Sequence, residues 1–398
     1  MHYFDHMATT ALRPEALEAM LPYLREEFGN PQSIYPLGSR ARQAVERARE
    51  QVAAFLGARP EEIIFTSSGA EANNLALRGL AQAAQKKGQH VIVSRMEHHS
   101  VLNSARVLER MGFAVTFLSP DRHGLISPQA VEAAMTPETV LVSIIHASPE
   151  VGTIEPIAEI AQVVKARGAL MHTDCVASAG QLRLDVQALG VDALSISAHI
   201  FYGPKGAGAL YLKRGTRIVP LIYGGIQESG RRAGTENVPA IVGMGVAAEL
   251  AQAELAQRAQ RLRALRDRLV QGLRERIEHL HYTGHPQHRL PGHASFCVEF
   301  IEGEAMLLML AQKGIYAATG SACSSKALKA SPVLLSMGIA AELAQGSVVF
   351  SLGDDNTEED VEVLLREFPQ VVARLREISP YAQGWGKRED EGPCIPRS

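Results

Sequence analysis

Residues 195–211 constrain the fold of this chain most strongly, because an apolar run, a turn rich in glycine and proline, and a second apolar run follow one another there. The first run ends at Ser197, just before His199, and the second ends at Tyr211. Short apolar runs bounded by turn residues are typical of buried strands. The small and polar side chains between the runs are therefore expected at the end of a sheet, where α/β folds carry their chemistry.

Length and charge narrow the class of protein. A chain of 398 residues with 46% hydrophobic and 21% charged residues suits a large α/β domain with a smaller companion. The net charge of -3 gives no electrostatic attraction for nucleic acid or an anionic membrane. No run of 18 apolar residues occurs, and residues 1–6 lack a basic segment followed by an apolar one. We therefore expect a cytoplasmic protein without a signal peptide, a membrane span or a nucleic-acid partner.

A strand, a turn and a helix predict an anion site near residue 70. Residues 63–65 form a short apolar run, residues 66–74 are mostly small, and a helical pattern continues to about residue 87. The free backbone N–H groups at the start of a helix and its dipole both favour an anion. Gly69 and Ala70 lie at this position.

Two further strand ends carry titratable residues. The strand of residues 91–94 leads to Glu97, His98 and His99, and adjacent histidines without a third ligand only weakly indicate a metal site. The strand of residues 170–174 ends in Asp174. A buried aspartate at a strand end is also a common cap, so these residues alone leave a structural role open.

Residues 197–206 resemble the pyridoxal phosphate (PLP) lysine loop of the NifS/IscS-like cysteine desulfurases, which have the class-V aminotransferase fold. That loop has the pattern Ser-x-His-Lys-x-x-Gly-Pro-Lys-Gly. Other stretches are similar to motifs of the same family, and they comprise residues 5–10, 29–35, 66–74, 224–237 and 320–325. The resemblance covers about residues 3–380.

The resemblance implies an α/β chain of PLP fold type I, similar to aspartate aminotransferase. This fold has a large domain with a mainly parallel sheet and a smaller C-terminal α+β domain. We expect the large domain at residues 15–255, the small domain at residues 1–14 plus 256–380, and a mobile tail at residues 381–398.

The resemblance also implies a role for seven cofactor-binding residues. The PLP phosphate would lie at Gly69 and Ala70, where Ala70 replaces a threonine of the family, and Ser197 and His199 would help to bind it. His98 would stack on the pyridine ring, and an aspartate beside the ring nitrogen would keep it protonated. In this chain, Asp174 lies at the position of that aspartate. The threonine of the family's Gly-Thr-Glu-Asn motif reaches the phosphate of the neighbouring subunit, so Thr235 implies a two-fold homodimer.

Several family residues are replaced in this chain. Ile200 stands where the family has its Schiff-base lysine, and an isoleucine side chain cannot bind PLP covalently. Pro149 replaces an asparagine that contacts cofactor and substrate, and proline has no side-chain donor. Val349 and Asp354 stand where the family has arginines that hold the substrate carboxylate. PLP is therefore expected to bind without a lysine Schiff base, or not at all.

The catalytic thiol of the family has a counterpart. Residues 320–325 match the family's Gly-Ser-Ala-Cys-Ser-Ser loop, in which the cysteine takes up sulfur as a persulfide. A thiol among small polar residues is accessible, as a sulfur carrier requires. Cys323 is therefore the catalytic candidate. Cys175, Cys297 and Cys394 carry no comparable signal, and four scattered cysteines do not form a disulfide framework.

These observations give three hypotheses. In the first, the chain is a degenerate cysteine desulfurase homologue that acts in sulfur transfer or iron–sulfur cluster assembly through a persulfide on Cys323, without lysine-dependent PLP catalysis. Its partner would be a sulfur-acceptor or iron–sulfur scaffold protein, and a cluster could bind at Cys323. In the second, it is an active, atypical desulfurase that converts L-cysteine to L-alanine with non-covalently held PLP and uses another base, such as His98. In the third, it is a non-catalytic structural partner of an active paralogue or a scaffold.

Overall fold

The computed structural model describes residues 1–320 and 330–380. Its strands are β1 (His2–Tyr3), β2 (Ile63–Thr66), β3 (His90–Ser94), β4 (Ala114–Leu118), β5 (Thr139–Ser143), β6 (Leu170–Asp174), β7 (Ala193–Ser197), β8 (Gly208–Leu212), β9 (Leu280–Tyr282), β10 (His293–Val298), β11 (Ile315–Tyr316) and β12 (Ser347–Ser351). Its helices are α1 (Pro14–Arg25), α2 (Pro36–Leu56), α3 (Gly69–Ala84), α4 (His99–Arg110), α5 (Pro128–Ala134), α6 (Ile157–Ala166), α7 (Val186–Leu189), α8 (Val238–Arg276), α9 (Gly303–Gln312), α10 (Pro332–Ser336), α11 (Ala341–Gln345) and α12 (Glu358–Ile378).

The largest sheet has seven strands in the order β2-β8-β7-β6-β5-β3-β4. Neighbouring strands are parallel except at β8, which is antiparallel to both β2 and β7. Most of its strands are buried along their whole length, which explains their continuous apolar runs. The predicted α/β fold with a large, mainly parallel sheet is confirmed.

The direction of the chain through this sheet changes between β3 and β5. From β3 the sheet continues to β4 on one side and to β5, β6 and β7 on the other. In open α/β sheets, ligands bind outside the carboxyl ends of the strands at such a switch point. The residues that follow β3, β5, β6 and β7 are therefore brought to one edge.

A second apolar core lies around the antiparallel sheet β12-β10-β9. Its packing includes the aromatic residues Phe296, Phe350 and Phe368. The strand pair β1 and β11 joins the start of the chain to the later half. The predicted domain boundaries stay a prediction.

Helix α8 is 39 residues long and contributes to both cores. Met244 and Ala247 pack in the core of the large sheet, whereas Leu262 and Leu269 pack in the second core. By length and composition this helix could span a membrane, but half of its apolar window is buried inside the fold. Such burial is typical of the core helix of a folded domain.

Candidate functional site

The start of helix α3 lies against the end of strand β7. Ser68 caps this helix, because its hydroxyl accepts a hydrogen bond from the backbone N–H of Glu71 at 3.1 Å. A Cβ atom on Gly69 would lie 2.5 Å from Cγ2 of Val176 and 3.2 Å from Cβ of Ser197. Glycine is therefore required for this close approach. The structure thus brings two of the predicted phosphate residues, Gly69 and Ser197, into contact.

Two polar atoms at and just after the end of β7 have no hydrogen-bond partner among the described residues. The Ser197 hydroxyl is buried, and neither it nor Nδ1 of the half-buried His199 forms a hydrogen bond within the described parts of the chain. Burial, followed by the charge of Lys205, lowers the pKa of His199. Buried polar groups without partners are rare and call for a ligand or water. A helix start, a hydroxyl and an imidazole together suit an anionic group.

Asp174 lies fully buried at the end of β6. Its Oδ1 accepts a hydrogen bond from the Val176 backbone N–H at 2.9 Å, and its Oδ2 accepts one from the Asn73 amide at 2.6 Å. Burial raises the pKa of Asp174, whereas the Val176 hydrogen bond, the charge of His98 and the Asn73 hydrogen bond lower it. Both donors stabilise the carboxylate form, which is the form that a protonated pyridine nitrogen needs.

His98 is exposed at the N-cap of α4 and is tied to Asp174 through side chains. Its Nδ1 contacts the Ser100 hydroxyl at 2.8 Å and accepts a hydrogen bond from the Ser100 backbone N–H at 3.2 Å. The Ser100 hydroxyl also accepts a hydrogen bond from Asn73 at 2.9 Å. Within residues 1–320 and 330–380, no group of three His, Cys, Asp or Glu residues could hold a metal ion.

The two remaining predicted cofactor residues are exposed. Ala70 lies in the first turn of α3, and Thr235 lies on the loop that precedes α8. This loop is held to α3 by an ion pair between Arg232 and Glu71, whose Nε and Oε1 atoms are 2.8 Å apart. No hydrogen bond among the described residues joins Thr235 to another predicted site residue.

Ile200 occupies the lysine position as a core residue. It ends a single 3₁₀ turn, Ala198–Ile200, and only 5% of its surface is exposed. Lys205 lies beyond the Gly-Pro turn and is exposed. Ile200 has no amine, and the charge of Lys205 reaches His199.

The residues at the other replaced positions form contacts inside the protein. The carbonyl of Pro149 accepts a hydrogen bond from Nε2 of His293 at 2.8 Å. Val349 is buried in β12, where it pairs with Ser295 of β10. Neither residue offers the side-chain donor that the family has at its position.

Asp354 accepts hydrogen bonds from two arginines. Arg258 binds it through both Nε and Nη2, at 2.7 and 2.9 Å, and Nη2 of Arg13 lies 3.2 Å from Oδ2. The Asp354 backbone N–H donates to the Tyr202 hydroxyl at 2.6 Å. Arg13 and Arg258 both lie near the face of the Tyr202 ring, with centroid distances of 5.8 and 5.5 Å. Asp354 shares both arginines with Glu254, which also pairs with Arg13 and Arg258.

Sequence reasoning did not single out Asn73 or Glu150. Burial raises the pKa of Glu150 to about 7, and its carboxylate accepts a hydrogen bond from Ser331. A Cβ on Gly320 would lie 2.8 Å from its Oε2. The signal for Glu150 was its place directly after Pro149 in a site motif. Asn73 had no comparable signal.

Cys323 and Cys394 lie outside the described residues. Cys175 and Cys297 are buried, and burial raises the pKa of both thiols, that of Cys297 to about 12. A buried thiol with a raised pKa is a poor nucleophile. The structure therefore gives no reactive role to either described cysteine.

Comparisons with known proteins place this fold and site in a class. The family described as Aminotransferase class-V matches residues 2–364. The cysteine desulfurase IscS of Dictyoglomus turgidum is 48% identical over 383 residues, which cover 96% of this chain and 97% of that protein. The cysteine desulfurase IscS of Methanosarcina thermophila is 48% identical over 378 residues, which cover 95% of this chain and 93% of that protein.

Solved structures agree with these relatives. A NifS-like protein superposes with a TM-score of 0.88 at 37% identity, covering 94% of this chain and 99% of that one. A NifS-like protein from Rickettsia africae gives a TM-score of 0.85 at 30% identity, covering 94% of this chain and 99% of that one. The chain belongs to the class-V aminotransferase family, within its NifS/IscS-like cysteine desulfurases, and its architecture is that of PLP fold type I.

The described residues fit PLP at two of its three attachment points. The start of α3 with Ser197 and His199 suits the phosphate, and Asp174 suits the pyridine nitrogen. Ile200 does not fit covalent attachment of the aldehyde carbon.

Proposed function

We propose that this chain is a degenerate cysteine desulfurase homologue that carries sulfur on Cys323 without lysine-dependent catalysis. One observation carries the proposal. Ile200 is buried at the lysine position, while Ser197 and His199 at the phosphate end keep unpartnered polar atoms. A buried hydroxyl without a partner beside a helix start suits a bound anion, and this supports a retained phosphate site.

Non-covalent PLP would be held by the residues that the site still contains. The helix start at Gly69, with Ser197 and His199, would bind the phosphate, and Asp174 would accept a hydrogen bond from the pyridine nitrogen. When bound, PLP supplies an electron sink through its protonated ring. His98 would cover the ring, and Thr235 would reach the site of a second copy in a homodimer.

Loss of substrate binding supports the degenerate interpretation. A substrate carboxylate needs a cationic donor pair, and Val349 and Asp354 supply none. Pro149 offers only its carbonyl, which already accepts from His293. Catalyst and substrate contacts are therefore replaced together, which a single tolerated substitution would not explain.

Sulfur would reach Cys323 from a persulfide donor. The Cys323 thiolate attacks the outer sulfur of the donor, a new S–S bond forms, the donor S–S bond breaks, and the donor leaves as a thiolate. The number of electrons is unchanged, so no oxidant is required. The outer sulfur of the Cys323 persulfide then passes to a sulfur-acceptor or iron–sulfur scaffold protein in the cytoplasm. A cluster at Cys323 would be assembled by the same partners.

A second candidate function is an active, atypical desulfurase with non-covalently held PLP. It is favoured by the 48% identity to relatives named cysteine desulfurase over nearly their whole length. His98 would then act as the base that moves the substrate proton. The two functions differ in one product, because only the active enzyme forms L-alanine from L-cysteine.

The test measures L-alanine formed from L-cysteine by the pure protein supplied with PLP, beside the Ile200→Lys variant. We expect no enzymatic turnover by the wild type and none by Ile200→Lys, because Pro149, Val349 and Asp354 remain. Alanine formed by the wild type at an enzymatic rate would establish the active desulfurase instead. The same samples are treated with a persulfide donor, and failure to label Cys323 would leave the structural-partner hypothesis.

A further inference from the structure

One amide lies between the two residues that would contact the pyridine ring. Asn73 is in the second turn of α3, is 1% exposed, and comes from a different element than Asp174 or His98. Its Nδ2 donates to Asp174 Oδ2 at 2.6 Å and to the Ser100 hydroxyl at 2.9 Å. An amide nitrogen has two hydrogens, so both are used in these bonds.

The direction of the bonds beyond Ser100 follows from this arrangement. Because the Ser100 hydroxyl accepts from Asn73, its own proton is free to donate to Nδ1 of His98, 2.8 Å away. The Ser100 backbone N–H also donates to that nitrogen. His98 Nδ1 is thus a hydrogen-bond acceptor toward Ser100. The chain of bonds runs from Asp174 through Asn73 and Ser100 to His98.

We propose that Asn73 is a positioning residue of the cofactor site, whose one amide holds the carboxylate for the pyridine nitrogen and, through Ser100, the imidazole for the ring face. The proposal deepens the proposed function, since it rests on non-covalent PLP at that site. Asn73 itself need not touch PLP. It acts on Asp174 by stabilising the carboxylate form, which burial would otherwise disfavour.

The surroundings of Asp174 make this donor important. The charged groups whose fields reach this carboxyl are His98, which favours its ionised form, and Glu97, which is itself buried. No lysine or arginine is hydrogen-bonded to Asp174 in the described chain. Besides the charge of His98, its ionisation depends on two hydrogen-bond donors, the Val176 backbone and Asn73, of which only Asn73 can be removed by substitution.

The test compares Asn73→Leu, which keeps the side-chain size and removes the donor, with Asn74→Leu as the matched control. Asn74 is the next residue of α3, and within the described parts of the chain its amide is hydrogen-bonded to the Ala70 carbonyl alone. The first readout is the titration of the Asp174 carboxyl in the ligand-free protein, followed by NMR with ¹³C-labelled aspartate and assigned with Asp174→Asn. The second is the dissociation constant of PLP, measured by fluorescence.

We expect Asn73→Leu to raise the Asp174 pKa and to weaken PLP binding about tenfold or more, whereas Asn74→Leu changes neither. Ser100→Ala breaks only the branch to His98, so it should leave the Asp174 titration unchanged and weaken PLP binding a few-fold. If leucine prevents folding, Asn73→Ala takes its place.

Two results would overturn the proposal. One is an unchanged Asp174 titration in Asn73→Leu, and the other is an equal effect of Asn74→Leu. Absence of PLP binding by the wild type would instead contradict the proposed function, and the titration in the ligand-free protein would still decide whether Asn73 controls Asp174.

Discussion

The phosphate end and the substrate end of the site have diverged in opposite ways. At the phosphate end, Ser197 and His199 keep polar atoms without a partner in the described chain. At the substrate end, Asp354 is paired with Arg258 and Arg13, and Pro149 accepts from His293. At the phosphate end the polar atoms of Ser197 and His199 are left for a ligand, whereas at the substrate end Asp354 and the Pro149 carbonyl have protein partners and only Nδ1 of His293 lacks one among the described residues.

This difference separates binding from catalysis. Unpartnered buried donors and acceptors cost free energy unless a ligand or water satisfies them, so Ser197 beside the start of α3 is a candidate ligand contact. The arginines at the substrate end are already held in ion pairs by a carboxylate of the protein. A substrate carboxylate therefore no longer competes for them. The comparison therefore predicts a chain that holds a phosphate-bearing cofactor and does not process an amino acid.

The largest expected effect concerns sulfur on Cys323. If the substrate end is closed, sulfur enters only by exchange with a persulfide donor, and Cys323→Ser should reduce labelling of the protein by more than tenfold. Cys175 and Cys297 should not substitute, because burial raises the pKa of both thiols. Mass spectrometry of the trapped persulfide measures the effect.

The matched control for this experiment is Cys394→Ser, since Cys394 also lies outside the described residues. Labelling that persists in Cys323→Ser and disappears in Cys394→Ser would assign sulfur carriage to the tail and would remove the link between the site and sulfur transfer.

The next effect tests whether the substrate end is closed by its own ion pairs. Asp354→Arg restores the family residue, yet it places a cation beside Arg258, whose side chain is 4% exposed, and beside Arg13. Removing one partner of a buried pair costs about 3–5 kcal/mol, and the partial exposure of Asp354 reduces this to about 2–4 kcal/mol. Urea unfolding measures the loss.

An exposed charge reversal controls for net charge. Glu358 pairs with Arg268 and its side chain is 75% exposed, so Glu358→Arg should change the free energy of unfolding by at most about 1 kcal/mol. Equal stability of Asp354→Arg and the wild type would mean that the arginines at this end remain available to a substrate.

The sequence predicted the sheet and the edge at which the site lies, because both are local patterns. The strand expected at residues 91–94 is β3 (His90–Ser94), and the polar residues after β3, β6 and β7 are those that the motifs indicated. Boundaries were less accurate, since the helical pattern expected to continue to about residue 87 ends at Ala84. Exposed helix ends lack the apolar periodicity that defines a helix interior.

Hydrogen bonds between residues that lie far apart in the sequence could not be predicted. Asn73 bonds to Asp174, 101 residues later, and Arg258 bonds to Asp354, 96 residues later. Neither pair has a spacing that a helix or strand period would indicate, because the fold alone brings the partners together. The identity of Ile200 was evident from the motif, whereas its burial required the structure.

A smaller effect concerns the buried acid that precedes His98. Burial, more than any other cause, raises the pKa of Glu97 to about 8, and Oε2 of Glu97 has no partner in the part of the chain that the structure describes. The folded protein thus binds a proton that the unfolded chain releases above its ordinary pKa of 4.5. The stability from this group is fully present below pH 4.5 and is lost as the pH rises through 8.

We therefore expect Glu97→Gln to flatten the decline in stability between pH 5 and pH 8, by up to about 1.4 kcal/mol per pH unit. Glutamine keeps the acceptor for Ser94 and for the Ile145 backbone N–H. Unfolding in urea at a series of pH values measures the slope, and the exposed Glu358→Gln is the control. A slope identical to that of the wild type would show that Glu97 is ionised in the folded protein.

The smallest effect tests the phosphate end directly. The Ser197 hydroxyl has no partner in the described chain and lies beside the start of α3, so it should donate to a bound phosphate. One hydrogen bond contributes about 1 kcal/mol, and Ser197→Ala should weaken PLP binding about fivefold. Ser195→Ala is the matched control, because the Ser195 hydroxyl contacts His172 at 3.0 Å in the same strand. Inorganic phosphate should compete with PLP for the wild type and less well for Ser197→Ala. If Ser197→Ala binds PLP and phosphate as the wild type does, the unpartnered hydroxyl is not a ligand contact, and the contrast between the two ends of the site no longer indicates retained cofactor binding.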